Sequence, residues 1–74
     1  MGKVVVLIEK GEHNYGASVP LLPGCVSTGD TLDEVKKNIQ EAIDLHLGGM
    51  EEDGIEWPIE FQGTEKTEYD FQEI

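Results

Sequence analysis

The apolar positions of this chain change their period along its length, and the changes mark out the elements. Lys3–Glu9 is β-branched and aliphatic at both parities, with Val4, Val6 and Ile8 on one side and Val5 and Leu7 on the other. Such a run predicts a strand that wants cover on both faces. Gly11-Glu12-His13-Asn14 reads as a hairpin connection. Tyr15, Ala17 and Val19 alternate with Gly16 and Ser18, which predicts a second strand with one better-buried face. Pro20 and Pro23-Gly24 turn the chain, and Cys25–Thr28 returns as a third strand.

The period then switches to that of a helix. Leu32, Val35, Ile39, Ala42, Ile43, His46 and Met50 recur at three- and four-residue steps. Thr31-Leu32-Asp33-Glu34 matches the capping box, with Thr31 bonding an orphan N–H and Glu34 reaching back. Asp30, Asp33 and Glu34 place negative charge where the helix dipole favours it. Gly48-Gly49 costs about 1 kcal/mol per glycine relative to alanine, so fraying of the last turn is expected. Gly54 is the natural stop.

Beyond it Ile55, Trp57, Ile59 and Phe61 alternate with Glu56, Pro58, Glu60 and Gln62. That alternation predicts a half-buried strand, placed at a sheet edge by Pro58. Thr67, Tyr69 and Phe71 follow with the same alternation, as a fifth strand or a partner-dependent tail. The sum is a single domain over residues 1–74 with an acidic C-terminal strand or tail at about 63–74. Its fold class is α+β, with one long helix across one face of an antiparallel sheet. One helix covers one face, so the two-faced first strand leaves apolar surface for a second copy, and a homodimer or higher oligomer is expected.

Length and charge sharpen the picture. A chain of 74 residues buries only about 60% of the surface that its unfolded form exposes. Its single cysteine excludes an internal disulfide, which favours a reducing compartment and oligomerisation. The run Val4–Ile8 is too short for a membrane span or a signal-peptide core, so a cytoplasmic protein is expected. Sixteen acids oppose five lysines for a net charge of −11. The excess is lopsided, with nine acids and one lysine after residue 50. Such a field repels phosphates and attracts basic partners, so no direct nucleic-acid binding is expected.

Candidate chemistry is sparse. Cys25 and His46 are the residue types of a nucleophile–base pair, but the competing reading is a packed cysteine and a core histidine. No zinc-ligand spacing, calcium loop or phosphate-binding glycine loop occurs, and no metal or cofactor is expected. Residue chemistry alone therefore stops at an acidic binding module.

A longer pattern goes further. Tyr15-x-Ala17-x-Val19-Pro20-x-Leu22-Pro23-Gly24-Cys25-x-Ser27-x-Gly29-Asp30-Thr31 is followed by Asn38, by Glu41-Ala42-Ile43-x-Leu45-His46-Leu47 and by Glu52-Asp53-Gly54. From about Val5 to Pro58 the chain resembles the HicB-type antitoxins of HicA/HicB toxin–antitoxin systems. The resemblance implies a partial ribonuclease-H-like β-β-β-α-β unit without catalytic activity. It also implies a partner, a small basic RNA-cleaving HicA-like toxin whose RNA-binding and catalytic surface is occluded. An orphan oligomeric binding module without a toxin is the alternative. Many members carry a C-terminal DNA-binding domain, and these 74 residues end in an acidic segment instead. Two further departures are Leu21, where an acid is usual, and Gly48, where a polar helix residue is commoner.

The motif residues Tyr15, Pro20, Leu22, Pro23, Gly24, Cys25, Gly29, Asp30, Thr31 and His46 are read as scaffold. The expected contacts to a basic partner are Glu51, Glu52, Asp53, Glu56 and Glu60, an assignment that rests on charge.

Overall fold

The computed structural model describes residues 3–62 and 67–74. Within them the chain runs β1 (Lys3–Lys10), β2 (Tyr15–Ser18), β3 (Val26–Gly29), α1 (Leu32–Glu52), a single 3-10 turn (Ile59–Phe61) and β4 (Glu68–Glu73). The strands form one sheet in the order β3-β2-β1-β4. β1 pairs antiparallel with β2, and β2 with β3, while β4 lies parallel to β1, with Val4 opposite Tyr69 and Val6 opposite Phe71. The order β-β-β-α-β matches the sequence reading. The sheet is mixed where an antiparallel one was expected, because the helix carries the chain back to the starting end, which is the connection a parallel pair requires.

Each turn in the first half has a local cause. The hairpin closes with the Gly11 N–H donating to the Asn14 carbonyl at 2.7 Å. Between β2 and β3, the N–H groups of Leu22 and Cys25 donate to Val19 and Leu22, and Val19 N–H reaches across to Cys25 at 3.1 Å. Gly24 in that turn has a φ of 87°, a region that side chains with a Cβ avoid. Gly29 is buried against the start of the helix, where an added Cβ would lie 2.5 Å from the Val35 nitrogen.

Thr31 caps the helix as expected, its hydroxyl accepting from the Glu34 N–H at 3.1 Å. The Glu34 carboxylate reaches back to the Asp30 N–H, one residue before the cap. Asn38 donates from its side-chain amide to the Thr28 carbonyl at 2.8 Å, tying the helix to the edge strand β3.

Val35, Ile39, Ile43 and Leu47 form the fully buried stripe of α1. They pack with Val4, Val6 and Ile8 of β1 and with Ala17, Val19, Leu22, Cys25 and Phe61. Each fully buried aliphatic side chain in this layer stabilises the fold by about 1.5–3 kcal/mol. His46 and Met50 sit at the margin of the stripe, and Leu47 takes the inward position beside them.

Two expectations need correction. The helix does not fray at Gly48-Gly49 but continues to Glu52. Its end is locked by a paired cap, with Gly54 N–H on the Glu51 carbonyl and Ile55 N–H on the Met50 carbonyl at 2.8 Å, and Gly54 at a φ of 72°. The Trp57 indole N–H adds a bond to the Leu47 carbonyl at 2.8 Å. The segment Ile55–Phe61 is not a strand: it is an irregular loop that closes into the 3-10 turn. Ile55 and Ile59 remain 53% and 79% exposed while Phe61 turns into the core, so the alternation reported a loop pinned at one side. Pro58 cannot donate to a ladder and opens the turn instead. The fourth strand is β4, within the segment read as a fifth strand or tail; residues 63–66 of that segment lie outside the described residues.

The close contact at Gly29 yields a quantitative expectation. Gly29→Ala should lower stability by about 1–3 kcal/mol, because the Cβ meets helix backbone that cannot step aside. Gly48→Ala, where an added Cβ meets nothing, should raise it by up to about 1 kcal/mol. Urea denaturation of the two variants reads both signs.

Candidate binding site at the acidic helix end

The C-terminal end of α1 concentrates the acids. Glu51 and Glu52 close the helix and Asp53 is its C-cap, all exposed, and the last turn contains no base. Unpaired carbonyls give this end of a helix a partial negative charge, so each carboxylate here is unfavourable by about 0.3–1 kcal/mol. The first turn shows the opposite arrangement, with Asp33 and Glu34 on the positive end. The free protein thus carries an electrostatic strain at one end of α1, and a cationic surface placed there would relieve it.

The loop after the helix shapes this end into a groove. Glu51, Gly54, Ile55, Glu56, Trp57 and Gln62 line an open depression of about 400 Å³. The Gln62 side-chain amide holds the loop, donating to the Trp57 carbonyl at 2.6 Å and to the Glu56 carboxylate at 3.2 Å. The groove's lining therefore combines two carboxylates with the apolar Ile55 and the indole.

Of the five acids read from charge, the structure brings Glu51 and Glu56 into this groove and leaves Glu52 and Asp53 on its helical rim. Glu60 lies in the 3-10 turn and lines a separate depression with Lys3, Val5 and Leu21. Charge counting could not supply Ile55, Trp57 or Gln62. The usable signal was Gly54 followed by Trp57-Pro58, a stop and then a ring before a residue that resists strand pairing.

The motif residues sit elsewhere. Leu22, Cys25 and Gly29 are buried, Tyr15 and His46 are half-buried, and Pro20, Pro23, Gly24, Asp30 and Thr31 lie in exposed turns and the helix cap. Burial pushes the Cys25 thiol above its ordinary value, so little of the nucleophilic thiolate forms near neutral pH. Among the described residues no three His, Cys, Asp or Glu side chains converge as a metal site, and no helix is long and apolar enough to cross a membrane.

Comparison with known proteins now gives this architecture a place. Residues 4–72 match the profile of the HicB-like antitoxin of bacterial toxin-antitoxin systems, and the chain belongs to that family. A UPF0150 protein of Helicobacter pylori is 53% identical over 49 residues, covering 66% of this chain and 68% of that protein. A UPF0150 protein of Synechocystis sp. is 45% identical over 62 residues, covering 82% and 86%. An uncharacterized protein from the rep-hol intergenic region of Haemophilus phage HP1 is 51% identical over 53 residues, which is 72% of this chain but 40% of the phage protein. Among solved structures, a chain of the HicA3 and HicB3 toxin-antitoxin complex superposes with a TM-score of 0.61 at 27% identity, covering 69% of this chain and 59% of that one.

The strained helix end predicts an inverse relation between charge and stability. Glu51→Gln and Glu52→Gln should each stabilise the isolated protein by about 0.3–1 kcal/mol at low ionic strength. Added salt should shrink the gain. Thermal unfolding at two salt concentrations checks the sign.

Proposed function

We propose that this protein is an antitoxin that binds a small, basic HicA-type RNA-cleaving toxin and covers its RNA-binding and catalytic surface. The observation that carries the reading is the stack of unopposed carboxylates on the negative end of α1, beside the groove of Glu51, Glu56 and Trp57. Acids that cost the free chain stability are accounted for if a positive surface neutralises them on binding. Family membership and the likeness to a chain of a toxin–antitoxin complex support the same partner class. A net charge of −11 speeds encounter with a basic protein and opposes encounter with nucleic acid. The protein acts by occupying a surface, needs no chemistry of its own, and works in the cytoplasm where such a toxin meets RNA.

Co-expression with a small basic HicA-type toxin should restore growth to cells that make the toxin and yield a complex that dissociates as salt rises. Glu51→Lys combined with Glu56→Lys should weaken that complex tenfold or more. Persisting toxicity with no complex at low salt would end this reading.

The open face of the sheet supports a second, compatible role as a homodimer. Leu7, Ser18 and Val26 lie side by side across β1, β2 and β3, with Glu9, Gly16 and Thr28 in the next row. With Ile74 they line a groove of about 510 Å³ in which Glu9 is the only charged residue. Val26 is 65% and Ile74 72% exposed. Two chains of the same strong charge approach each other best through this groove, because the β4 side of the same face carries Glu68 and Asp70 opposite Lys3 and Val5. Sedimentation should show a dimer that Val26→Lys dissociates without unfolding; a wild-type monomer at high concentration would exclude it.

A further inference from the structure

We infer that a second cavity, adjoining the acidic groove, takes an arginine side chain of the basic partner; this rests on the antitoxin reading and names one anchor of that interface. The cavity, about 370 Å³, lies between α1, the 3-10 turn and β4. Its walls include three aromatic side chains, Trp57, Phe61 and Tyr69, and α1 supplies Asp44 and Gln40. The Asp44 carboxylate lies close enough to Tyr69 to help burial push the phenol above its ordinary value.

Aromatic faces beside a carboxylate make a receptor for an organic cation. The rings attract positive charge through their negative faces, and the carboxylate supplies a charge-assisted hydrogen bond. The same edge of the protein already shows this contact in miniature, with the Lys36 ammonium 5.1 Å from the Phe71 ring centre. Phe71 in turn sits beside Tyr69, their ring centres 6.3 Å apart. Asp44 is exposed and pairs with no base among the described residues, where the one ion pair joins His13 and Glu12.

Guanidinium fits better than ammonium here. It is planar, stacks on rings, gives up water more readily and bonds a carboxylate through two parallel N–H groups. The Gln40 amide oxygen offers an acceptor for one of its remaining donors. Trp57 lines both this cavity and the acidic groove. An arginine held in the cavity would therefore bring the partner's basic surface close to Glu51 and Glu56, which share the indole with it. Tyrosine, tryptophan and arginine are the residues on which interface energy most often concentrates.

Trp57 is the sole tryptophan and reports on the site directly. Wild-type protein at low salt is titrated with acetyl-Gly-Arg-Gly-amide and with the citrulline counterpart, a neutral isostere, while indole emission is followed. The arginine peptide should give a saturable change, and the citrulline peptide should bind at least tenfold more weakly. Asp44→Asn, at an exposed position that leaves the core intact, should weaken the arginine peptide about tenfold and the complex with the co-expressed toxin by a similar factor. Tyr69→Leu should do the same, with thermal unfolding as the control for folding. Equal response to the two peptides, no response to either, or an Asp44→Asn complex as tight as wild type would overturn the inference. The last result leaves the antitoxin reading standing, because Glu51 and Glu56 are tested separately; conversely, arginine binding without any toxin complex would remove the antitoxin reading and keep a cation site.

Discussion

The close approach of α1 to Gly29 is the contact on which the architecture depends. Because residue 29 has no side chain, the backbone of Val35 can settle where a Cβ would stand. The Thr31 cap and the Asn38 bond to β3 fix the helix in that position from either side. Once it starts there, Val35, Ile39, Ile43 and Leu47 fall on the inner face of β1 and β2 without further adjustment. The direction of the helix then decides where the chain emerges, and thus that β4 lies parallel to β1 on the far side of the sheet. A single absent methyl group sets the geometry of elements forty residues away.

Charge meets the helix dipole in two opposite ways along this frame. At the start of α1 the acids agree with the helix dipole and help to hold the fold. At its end they oppose it, in a chain too small to have stability in excess. The loop that follows is nonetheless well anchored, by the cap at Gly54, the indole bond to Leu47 and the Gln62 amide. A loop so anchored beside unfavourable charge suits the docking of a cation proposed above, since little order remains to be gained on binding. On the sheet's other face the groove over β1 to β3, with Glu9 as its one charged lining residue, offers a surface of the opposite kind.

Much of this was legible in the amino-acid order, and the limits have physical causes. Strands β1 to β3, the Thr31 cap, the helix and its stop at Gly54 followed from period, turn residues and capping chemistry, all of which act over a few residues. The family followed from the long run between Tyr15 and Thr31. Ile55–Phe61 misled because an alternating pattern has the same appearance in a loop whose Trp57 and Phe61 are fastened while Ile55 and Ile59 are free. The parallel placement of β4 depends on where a 21-residue helix delivers the chain, a long-range property with no local signature. The acids of the site were visible as charge, but their division between a groove, a helical rim and a separate depression at Glu60 is a product of the fold. The aromatic walls came from three elements that no spacing rule connects.

The pairing of Val4 with Tyr69 joins segments far apart in the order of synthesis. Until β4 has left the ribosome, β1 presents one whole side of its backbone unsatisfied, next to the most aliphatic stretch of the chain. The nascent polypeptide therefore passes through a period in which it invites strand addition from another molecule or capture by a chaperone. The same seam is where a protease would act to greatest effect: removing β4 would strip the sheet of its second edge and the aromatic cavity of Tyr69 in one cut, and with them the anchor proposed for a partner.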